Sequence, residues 1–153
     1  MTRIGLISDT HGLLRPQALE LLEGSDRIVH AGDICDADVL RRLARIAPVT
    51  AVRGNNDRGD WAVALRTTEV LQAEGALIYV IHDLGELDVD PAAAGMHAVV
   101  SGHSHKPKSE LRDGVLFVNP GSAGPRRFRL PVSVGRLVVN GASVEAELLG
   151  IEP

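Results

Sequence analysis

The chain has 153 residues, the size of one compact domain, and is long enough to bury a core without disulfides or other staples. Hydrophobic residues make up 44% of the sequence, which argues against a disordered chain, and the aromatic share of only 3% leaves aliphatic side chains to fill the interior. The net charge of −4 disfavours nonspecific binding to nucleic acid or to an anionic membrane, although a local positive site could still bind an anion.

Cysteine usage and hydropathy indicate the cellular context. Cys35 is the single cysteine, so an internal disulfide is impossible and a reducing compartment is favoured. No apolar run is long enough to span a membrane. The run Ile4–Ser8 is too short for the apolar region of a signal peptide, and Asp9 follows it at once. We therefore expect a cytoplasmic protein that does not associate with membranes.

The first half of the chain alternates apolar runs with helical patterns. Ile4–Ser8 is predicted to be a strand, and Pro16–Glu23 a helix with Pro16 in its first turn. Arg27–Ala31 is a second strand, and a helix capped by Asp36 is expected to run to about Ile46. Pro48–Arg53 is the third strand. This βαβαβ order predicts a parallel sheet.

The second half is dominated by hairpin signals, such as Asp113-Gly114 and Asn140-Gly141 between apolar runs. Parallel units followed by hairpins predict an α/β fold in which two mixed β-sheets pack together with helices outside. No linker or composition shift divides the chain, so residues 1–153 are expected to form a single domain. The predicted strands here are Glu69–Ala73, Leu77–Ile81, Ala98–Ser101, the two strands around Asp113-Gly114, Val132–Val139 and Ser143–Leu148.

Nearly all the unusual polar residues lie in five short segments, each of which follows a predicted strand. Because ligands bind beyond the carboxyl ends of strands in open α/β sheets, these segments are expected to converge on one edge. Imidazole and carboxylate groups suit Mn, Fe, Co, Ni or Zn. The segments are Ser8–Gly12, Ala31–Asp33, Arg53–Asp57, Ile81–His82 and Ser101–His105.

Spacing within the segments supports a metal site. Asp9 and His11 are two residues apart, as are His103 and His105, and such pairs project the same way if the backbone is extended. Seven ligands are too many for one ion and suit two ions that share a carboxylate. The seven candidate ligands are Asp9, His11, Asp33, Asn55, His82, His103 and His105.

Five ordered motifs resemble those of the calcineurin-like metallophosphoesterase superfamily. Arg53–Asp57 and Asn119–Ser122 are similar to its small prokaryotic phosphodiesterase branch, and the resemblance covers roughly residues 3 to 125. A single motif is weak support, but five in the same order are specific. The motifs are Asp9-Thr10-His11, Gly32-Asp33, Gly54-Asn55-Asn56-Asp57, His82 and Gly102-His103-Ser104-His105.

The resemblance implies a four-layer αββα fold and a metal-dependent phosphodiesterase in which a metal-bridging hydroxide attacks a small phosphoester. Two divalent ions are implied, with Mn²⁺ expected and Fe, Ni, Co, Zn or Mg as alternatives. One ion would be held by Asp9, His11 and His105, and Asp33 would bridge the two. The second ion would be held by Asn55, His82 and His103.

The sequence departs from the superfamily pattern at two places. Many relatives have His at the position of Asn56, and Asn cannot donate a proton at neutral pH. Relatives often have His-Gly-His where this chain has His82-Asp83-Leu84. Asn56 and Asp57 are nevertheless the candidate catalytic residues.

The candidate substrate-binding residues are Asn56, Ser122 and Arg126. Together with Arg127 and Arg129, Arg126 forms either a phosphate clamp or a solvated loop. The resemblance also places Asn119 and Ser122 behind the site.

Other residues and functions compete with this interpretation. His30 is expected to be packed or to support a ligand. Cys35 is expected to be buried at a helix start, with a thiol close to the metals as the alternative. Trp61 fits either the core or the rim of the site. The alternative functions are a phosphomonoesterase, a phosphoprotein phosphatase, or a non-catalytic protein-interaction scaffold similar to the small subunit of the retromer coat. The oligomeric state cannot be inferred from the sequence.

Overall fold

A computed structural model describes residues 1–152 and contains ten strands, three α-helices and one short 3-10 helix. Within these residues, no helix is both long enough and apolar enough to cross a membrane. The strands are β1 Thr2–Ile7, β2 Arg27–His30, β3 Val49–Ala51, β4 Thr68–Ala73, β5 Ala76–Ile81, β6 Ala98–Val100, β7 Lys108–Arg112, β8 Val115–Asn119, β9 Val132–Asn140 and β10 Ser143–Ile151. The helices are α1 Pro16–Leu22, α2 Ala37–Ala44 and α3 Asp60–Val63, and the 3-10 helix is Leu84–Glu86.

The strands form two mixed five-stranded sheets, which confirms the predicted architecture. The first sheet has the order β10-β9-β1-β2-β3, in which β1, β2 and β3 are parallel and β9 and β10 are antiparallel. The second has the order β4-β5-β6-β8-β7, with parallel β5, β6 and β8 between two antiparallel edge strands. Each sheet therefore contains three adjacent parallel strands, at whose carboxyl edge the loops can meet.

The main core lies between the two sheets. Side chains alternate across a strand, so Ile4 and Leu6 of β1 point to the same face and meet Ile78 and Val80 of β5, all fully buried. Burying one such aliphatic side chain stabilises the fold by roughly 1.5–3 kcal/mol. Packing between the sheets thus holds the parallel strands of the two sheets face to face.

The outer faces of the sheets are covered unequally. Helices α1 and α2 bury Leu22 and Leu43 against the first sheet, and Trp61 packs against the same cluster, which places it with the core. The outer face of the second sheet carries Tyr79 and Ile81. The 3-10 helix and the loop after it cover that face, so the fourth layer is a single turn plus loop instead of a long helix.

Element boundaries depart from the predictions where local sequence gives a weak signal. Asp36 caps α2 as predicted, accepting a 2.9 Å hydrogen bond from the Asp38 amide. The helix ends at Ala44 and not near Ile46, since Ala47 precedes Pro48 and is thereby disfavoured in a helical conformation. Helix α3 and the 3-10 helix were not predicted, because one turn is too short to show a period.

Glu74 joins the two sheets at the end opposite the ligand-bearing loops. It lies in the β4–β5 turn and accepts hydrogen bonds from the Thr2 hydroxyl at 2.7 Å and from the Gly141 amide at 2.8 Å. These two hydrogen bonds lower the pKa of Glu74 from its ordinary value to about 2. Both partners belong to the first sheet or its β9–β10 turn, so an ionised Glu74 stabilises the assembly of the sheets.

Replacing Glu74 with Gln is expected to lower the stability at pH 7. The stability that a carboxylate with a lowered pKa contributes is present above its unfolded value and is lost as pH falls through the folded value. The difference between wild type and Glu74→Gln should therefore shrink between about pH 5 and pH 2.5, measured by urea unfolding. Glu20→Gln on the exposed side of α1 is the control. A stability difference between wild type and Glu74→Gln that does not change with pH would contradict the stabilising role of the ionised Glu74 carboxylate.

Candidate metal centre

The predicted ligand segments follow β1, β2, β3, β5 and β6 and meet at the carboxyl edge of the parallel strands of the two sheets. Convergence of the five segments is therefore observed. The carboxylates of Asp9 and Asp33 are buried, with exposed fractions of 0% and 2%, and His82 and His105 are buried beside them. Two buried carboxylates in one place require cationic partners, because each charge has lost its hydration.

Asp9, His11 and His105 form the first group of donor atoms. Asp9 Oδ1 lies 3.3 Å from His105 Nε2 and 3.9 Å from His11 Nε2. Asp9 Oδ1 and His11 Nε2 are buried without any hydrogen-bond partner among the described residues. Ligands about 2.1 Å from one ion lie roughly 3–3.4 Å apart, so this convergence of unpartnered atoms fits a bound divalent cation.

Asp33, Asn55 and His82 form the second group. His82 Nδ1 lies 2.7 Å from the Ala31 carbonyl and must donate to it, which leaves Nε2 with a free lone pair in the neutral ring. That Nε2 lies 3.1 Å from Asn55 Oδ1 and 3.4 Å from Asp33 Oδ2. Three acceptor atoms that face one another need a cation between them, and this group also fits a metal.

A proton can take the place of that cation on His82. Burial opposes protonation, but the hydrogen bond to Asp33 and the charges of Asp9 and Asp33 outweigh it and raise the pKa of His82. Metal binding would displace this proton, because imidazole binds metals in its neutral form.

Asp33 lies between the two groups. Its Oδ2 is 3.8 Å from His11 Nε2 in the first group and 3.4 Å from His82 Nε2 in the second. Burial opposes its ionisation, but hydrogen bonds from His82 and from Asn56 outweigh this effect and lower the pKa of Asp33. The carboxylate is therefore ionised and available to both groups.

His103 lies at the edge of the site. Its side chain is 46% exposed, its ring packs edge-on against His82, and its Nε2 is 3.8 Å from Asp83 Oδ2. His105, two residues later, is buried against Asp9. The expectation that this pair projects the same way from an extended segment is wrong.

The reason is the backbone conformation of the ligand segments. Asp9, His11, Asp33, His103 and His105 all have φ between 46° and 69°, in the left-handed region. This conformation is costly for residues other than Gly and concentrates at functional sites, where surrounding structure enforces it. The ligands are thus presented by tight turns, which no alternation of side chains could have predicted.

Glycines permit the close approach of these turns. A Cβ on Gly54 would collide with the backbone amide and carboxylate of Asp33, and a Cβ on Gly102 would overlap the Ser8 hydroxyl. No other residue can therefore replace Gly54 or Gly102 while these loops keep their present distance from the ligands.

Asp57 organises the loop that carries Asp33. Its Oδ1 accepts hydrogen bonds from the amides of Ile34 and Cys35, both at 2.8 Å. Its Oδ2 accepts from the amides of Asp33 at 3.0 Å and Gly54 at 2.8 Å. With four amides on a buried carboxylate, Asp57 faces the backbone, and this geometry favours a positioning role over the catalytic role expected from the sequence.

Asn56 also contacts Asp33. Its side-chain amide donates to Asp33 Oδ2 at 3.0 Å, and its backbone amide donates to Asp33 Oδ1 at 2.9 Å. The side chain is otherwise exposed at the mouth of the site. It can thus orient Asp33 and still lie near an incoming substrate.

Ser8 and His30 support the ligand loops. The sequence did not single out Ser8 for this role, whereas His30 was predicted to be packed or to support a ligand. The Ser8 hydroxyl donates to Asp9 Oδ2 at 2.6 Å and so directs the unpartnered Oδ1 toward His105. His30 is fully buried, accepts from the Gly32 amide at 3.1 Å and lies 3.1 Å from the Thr10 hydroxyl. Burial lowers the pKa of His30 to about 3, so the ring is neutral and links the two ligand loops. His30 is packed behind the site, as predicted.

Asn119 and Ser122 support the site from behind. Asn119 donates to the Gly102 carbonyl at 3.0 Å, and the Ser122 hydroxyl donates to the Asp9 carbonyl at 3.0 Å. Ser122 is buried, and this contact favours support of the Asp9 loop over the predicted contact with substrate.

The loop after Ser122, which carries Arg126, Arg127 and Arg129, is exposed. Of these three arginines, Arg127 is the one whose charge acts on a candidate ligand. Burial is the main cause of the lowered pKa of His105, and the Arg127 charge adds to it. Arg126, the predicted substrate-binding residue, is exposed.

Cys35 is exposed, so its predicted burial is wrong. Its amide is held by Asp57 and its φ is 69°, which turns the thiol outward to 3.7 Å from His11 Nδ1. Partial burial, followed by the charges of Asp57 and Asp33, raises the pKa of Cys35 to about 11, so the thiol is protonated.

Comparisons with known proteins show which family and which folds this chain resembles. The family model described as the calcineurin-like phosphoesterase superfamily domain matches residues 2–141. A probable metallophosphoesterase of Methanocaldococcus jannaschii is 34% identical, and the match covers 97% of this chain and 81% of that protein. Among solved structures, a protein described as a novel archaeal phosphodiesterase has a TM-score of 0.81 at 22% identity and covers 97% of this chain and 100% of its own. Vps29 of Chaetomium thermophilum has a TM-score of 0.80 at 20% identity, covering 99% of this chain and 100% of its own.

Asp57→Asn is expected to destabilise the metal-free protein by roughly 1.5–3 kcal/mol, because one oxygen that accepts two amides becomes a donor. The metal affinity should fall as well, since the Asp33 loop loses its anchor. Urea unfolding in chelator and metal titration measure the two effects. Asp113→Asn in the exposed β7–β8 turn is the control, with a change within ~0.5 kcal/mol. Unchanged stability of Asp57→Asn would contradict the positioning role.

Proposed function

The chain belongs to the calcineurin-like phosphoesterase superfamily, and we propose that it hydrolyses phosphodiesters with two divalent metal ions, both of which are expected to be Mn²⁺. The observation that carries the proposal is the convergence of unpartnered, buried donor atoms from separate loops, Asp9 Oδ1 and His11 Nε2 above all. An apolar or purely structural role does not explain why such atoms lack partners.

The two groups of donor atoms would hold one ion each. Asp9, His11 and His105 would bind the first. Asn55 and His82 would bind the second, with His103 completing that set from the edge of the site. Asp33 would serve both ions, because its Oδ2 lies between His11 and His82.

When bound, a pair of ions supplies an activated water nucleophile and positive charge for the phosphoryl oxygens. The two carboxylates offset only half of the four positive charges that two divalent ions bring, so the site would attract a phosphate ester. Asn56 would hold Asp33 in place and hydrogen-bond the ester, and the charge of Arg127, which acts on His105, would add to the positive charge of the site.

Two further candidate functions remain distinct from this one. A phosphomonoesterase would use the same ligands on a substrate with more negative charge. A non-catalytic scaffold with the same fold would not require a complete set of metal-binding atoms. All seven candidate ligands are present in this chain, which supports catalysis.

The first test measures metal content and hydrolysis together. The wild-type protein, loaded with Mn²⁺ or another divalent ion, should bind two ions per chain and hydrolyse bis(p-nitrophenyl) phosphate. Asp33→Ala should lose stable binding of the pair and lower kcat/KM by more than the ~10–100-fold typical of residues that only support a ligand. Asp26→Ala, at the opposite end of β2, is the matched control. Full activity with one ion or none, or inactivity with every metal on a broad ester panel, would refute the proposal.

The second test concerns Asn56 and the leaving group. Asn56 cannot protonate a departing alkoxide, and such help is typically worth ~10²–10⁴-fold. We therefore expect aryl diesters to be hydrolysed much better than alkyl monoesters. Asn56→His should narrow this gap in kcat/KM across esters of graded leaving-group pKa.

Asn56→Ala is the control for that experiment, because it removes the hydrogen bond to Asp33 without adding a proton donor. If Asn56→Ala narrows the difference in kcat/KM between aryl diesters and alkyl monoesters as much as Asn56→His does, proton donation is not the reason for the change. Wild-type protein that hydrolyses alkyl monoesters as well as aryl diesters would favour the monoesterase alternative.

A further inference from the structure

A cavity of about 540 Å³ opens directly onto the candidate metal centre, on the outer face of the second sheet. Its lining includes the candidate ligands Asn55, His82 and His103 together with Thr67, Thr68 and Tyr79. A substrate group that is bound at the metal centre and extends toward β4 and β5 would enter this cavity. The cavity is large enough to hold a small alcohol.

Tyr79 shows that the cavity is equipped for a polar ligand. Its side chain is buried, with 7% exposed, and lines the cavity, and its hydroxyl is not one of the buried atoms that lack a hydrogen-bond partner but is accessible from the cavity. A tyrosine hydroxyl at a largely buried position normally finds a partner. Here the available partner is whatever occupies the cavity.

The charge of the cavity is negative. Its rim carries the carboxylates of Asp83, Glu86 and Asp88 against the single guanidinium of Arg53, among the described residues. Glu86 and Asp88 form no ion pair in the part of the chain that the structure describes, so their charges face the cavity uncompensated. Asp57 also borders the cavity, but its carboxylate is bound by backbone amides.

The other side of His103 has the opposite character. A groove of about 280 Å³ shares Asp83 and His103 with the cavity and is lined by Lys106, Lys108 and Arg112. Lys108 and Arg112 pair with Glu110, which leaves Lys106 to act on a ligand. The two recesses therefore differ in sign, and a diester with two unlike arms has one preferred orientation.

We propose that the cavity lined by Tyr79, Asp83, Glu86 and Asp88, here called the acidic cavity, binds one ester arm of the substrate and selects an arm with a cationic amino-alcohol head. The inference rests on the proposed phosphodiesterase function and specifies its substrate class. The phosphate would lie at the metals, and the ammonium group would lie among the carboxylates of the rim. An arm that carries a further phosphate would be repelled there.

The test compares two diesters that differ only in charge. p-Nitrophenyl phosphorylcholine carries a quaternary ammonium, and p-nitrophenyl 3,3-dimethylbutyl phosphate has the same shape with carbon in place of nitrogen. With Mn²⁺-loaded protein, kcat/KM should be at least about fivefold higher for the cationic ester, the effect of one close charge pair in water. The ratio should approach one as ionic strength rises from about 0.02 M to about 0.5 M, because exposed charges are screened.

A double variant connects this preference to the acidic cavity. Glu86→Gln with Asp88→Asn should reduce the ratio to about twofold or less. Glu20→Gln with Glu145→Gln removes the same net charge from distant exposed positions and should keep the wild-type ratio. Equal kcat/KM for the two esters in wild type, or the same ratio in the double variant as in the control, would overturn the assignment.

Binding without turnover separates this inference from the proposed function. Calorimetry with the Mn²⁺-loaded protein should show phosphorylcholine binding at least about fivefold more tightly than 3,3-dimethylbutyl phosphate. Such a preference without hydrolysis of any ester would refute the phosphodiesterase function and support the cavity. Equal affinities alongside hydrolysis would support the enzyme and overturn the cavity.

Discussion

Four backbone amides converge on the carboxylate of Asp57, and the arrangement of the metal centre depends on them. The amides come from two loops, one after β2 and one after β3, so a single side chain fixes their separation. Asp33 lies in the first loop, and Asn55 and Asn56 lie in the second. Charge-assisted hydrogen bonds to a buried carboxylate are about twice as strong as neutral ones, which allows the loops to keep strained conformations.

That strain is one of two costs that the site imposes on the fold. Five of the candidate ligands adopt left-handed backbone conformations, and two carboxylates are buried side by side. Each unfavourable conformation costs of the order of 1–3 kcal/mol, so the site is stable only because surrounding structure over-determines it. The aliphatic core between the sheets and the hydrogen bonds of Ser8, Asn119 and Ser122 provide that support. Bound cations would relieve the remaining electrostatic cost.

The surroundings of the site differ from one side to the other. Lys106 lines the groove on one side of His103, while Glu86 and Asp88 line the cavity on the other side. Members of a superfamily can share ligands and fold while differing in such borders, because function resides in the site and its immediate walls. Asp83 is notable here, since it departs from the superfamily pattern and separates the two recesses beside His103.

Much of the fold followed from the sequence because its signals are local. Alternating apolar residues and turn dipeptides predicted eight of the ten strands close to their positions and the mixed character of both sheets; β7 and β8 were predicted only as the two strands around Asp113-Gly114. The ordered motifs also predicted which polar residues meet, since the loops after parallel strands share one edge. Helix α3 and the short turn over the second sheet escaped prediction, because a single turn carries no periodicity.

The sequence by itself determined the family, the architecture and the set of converging polar residues. Only the tertiary structure decided what each residue does within that set. Asp57 accepts hydrogen bonds from four backbone amides, Ser122 donates to the Asp9 carbonyl, and Cys35 is exposed. His103 lies at the exposed edge of the site, whereas His105 is buried against Asp9. The physical reason is that these roles depend on left-handed turns and on contacts between loops far apart in the chain. Neither leaves a periodic trace in the sequence, whereas strands and hairpins do.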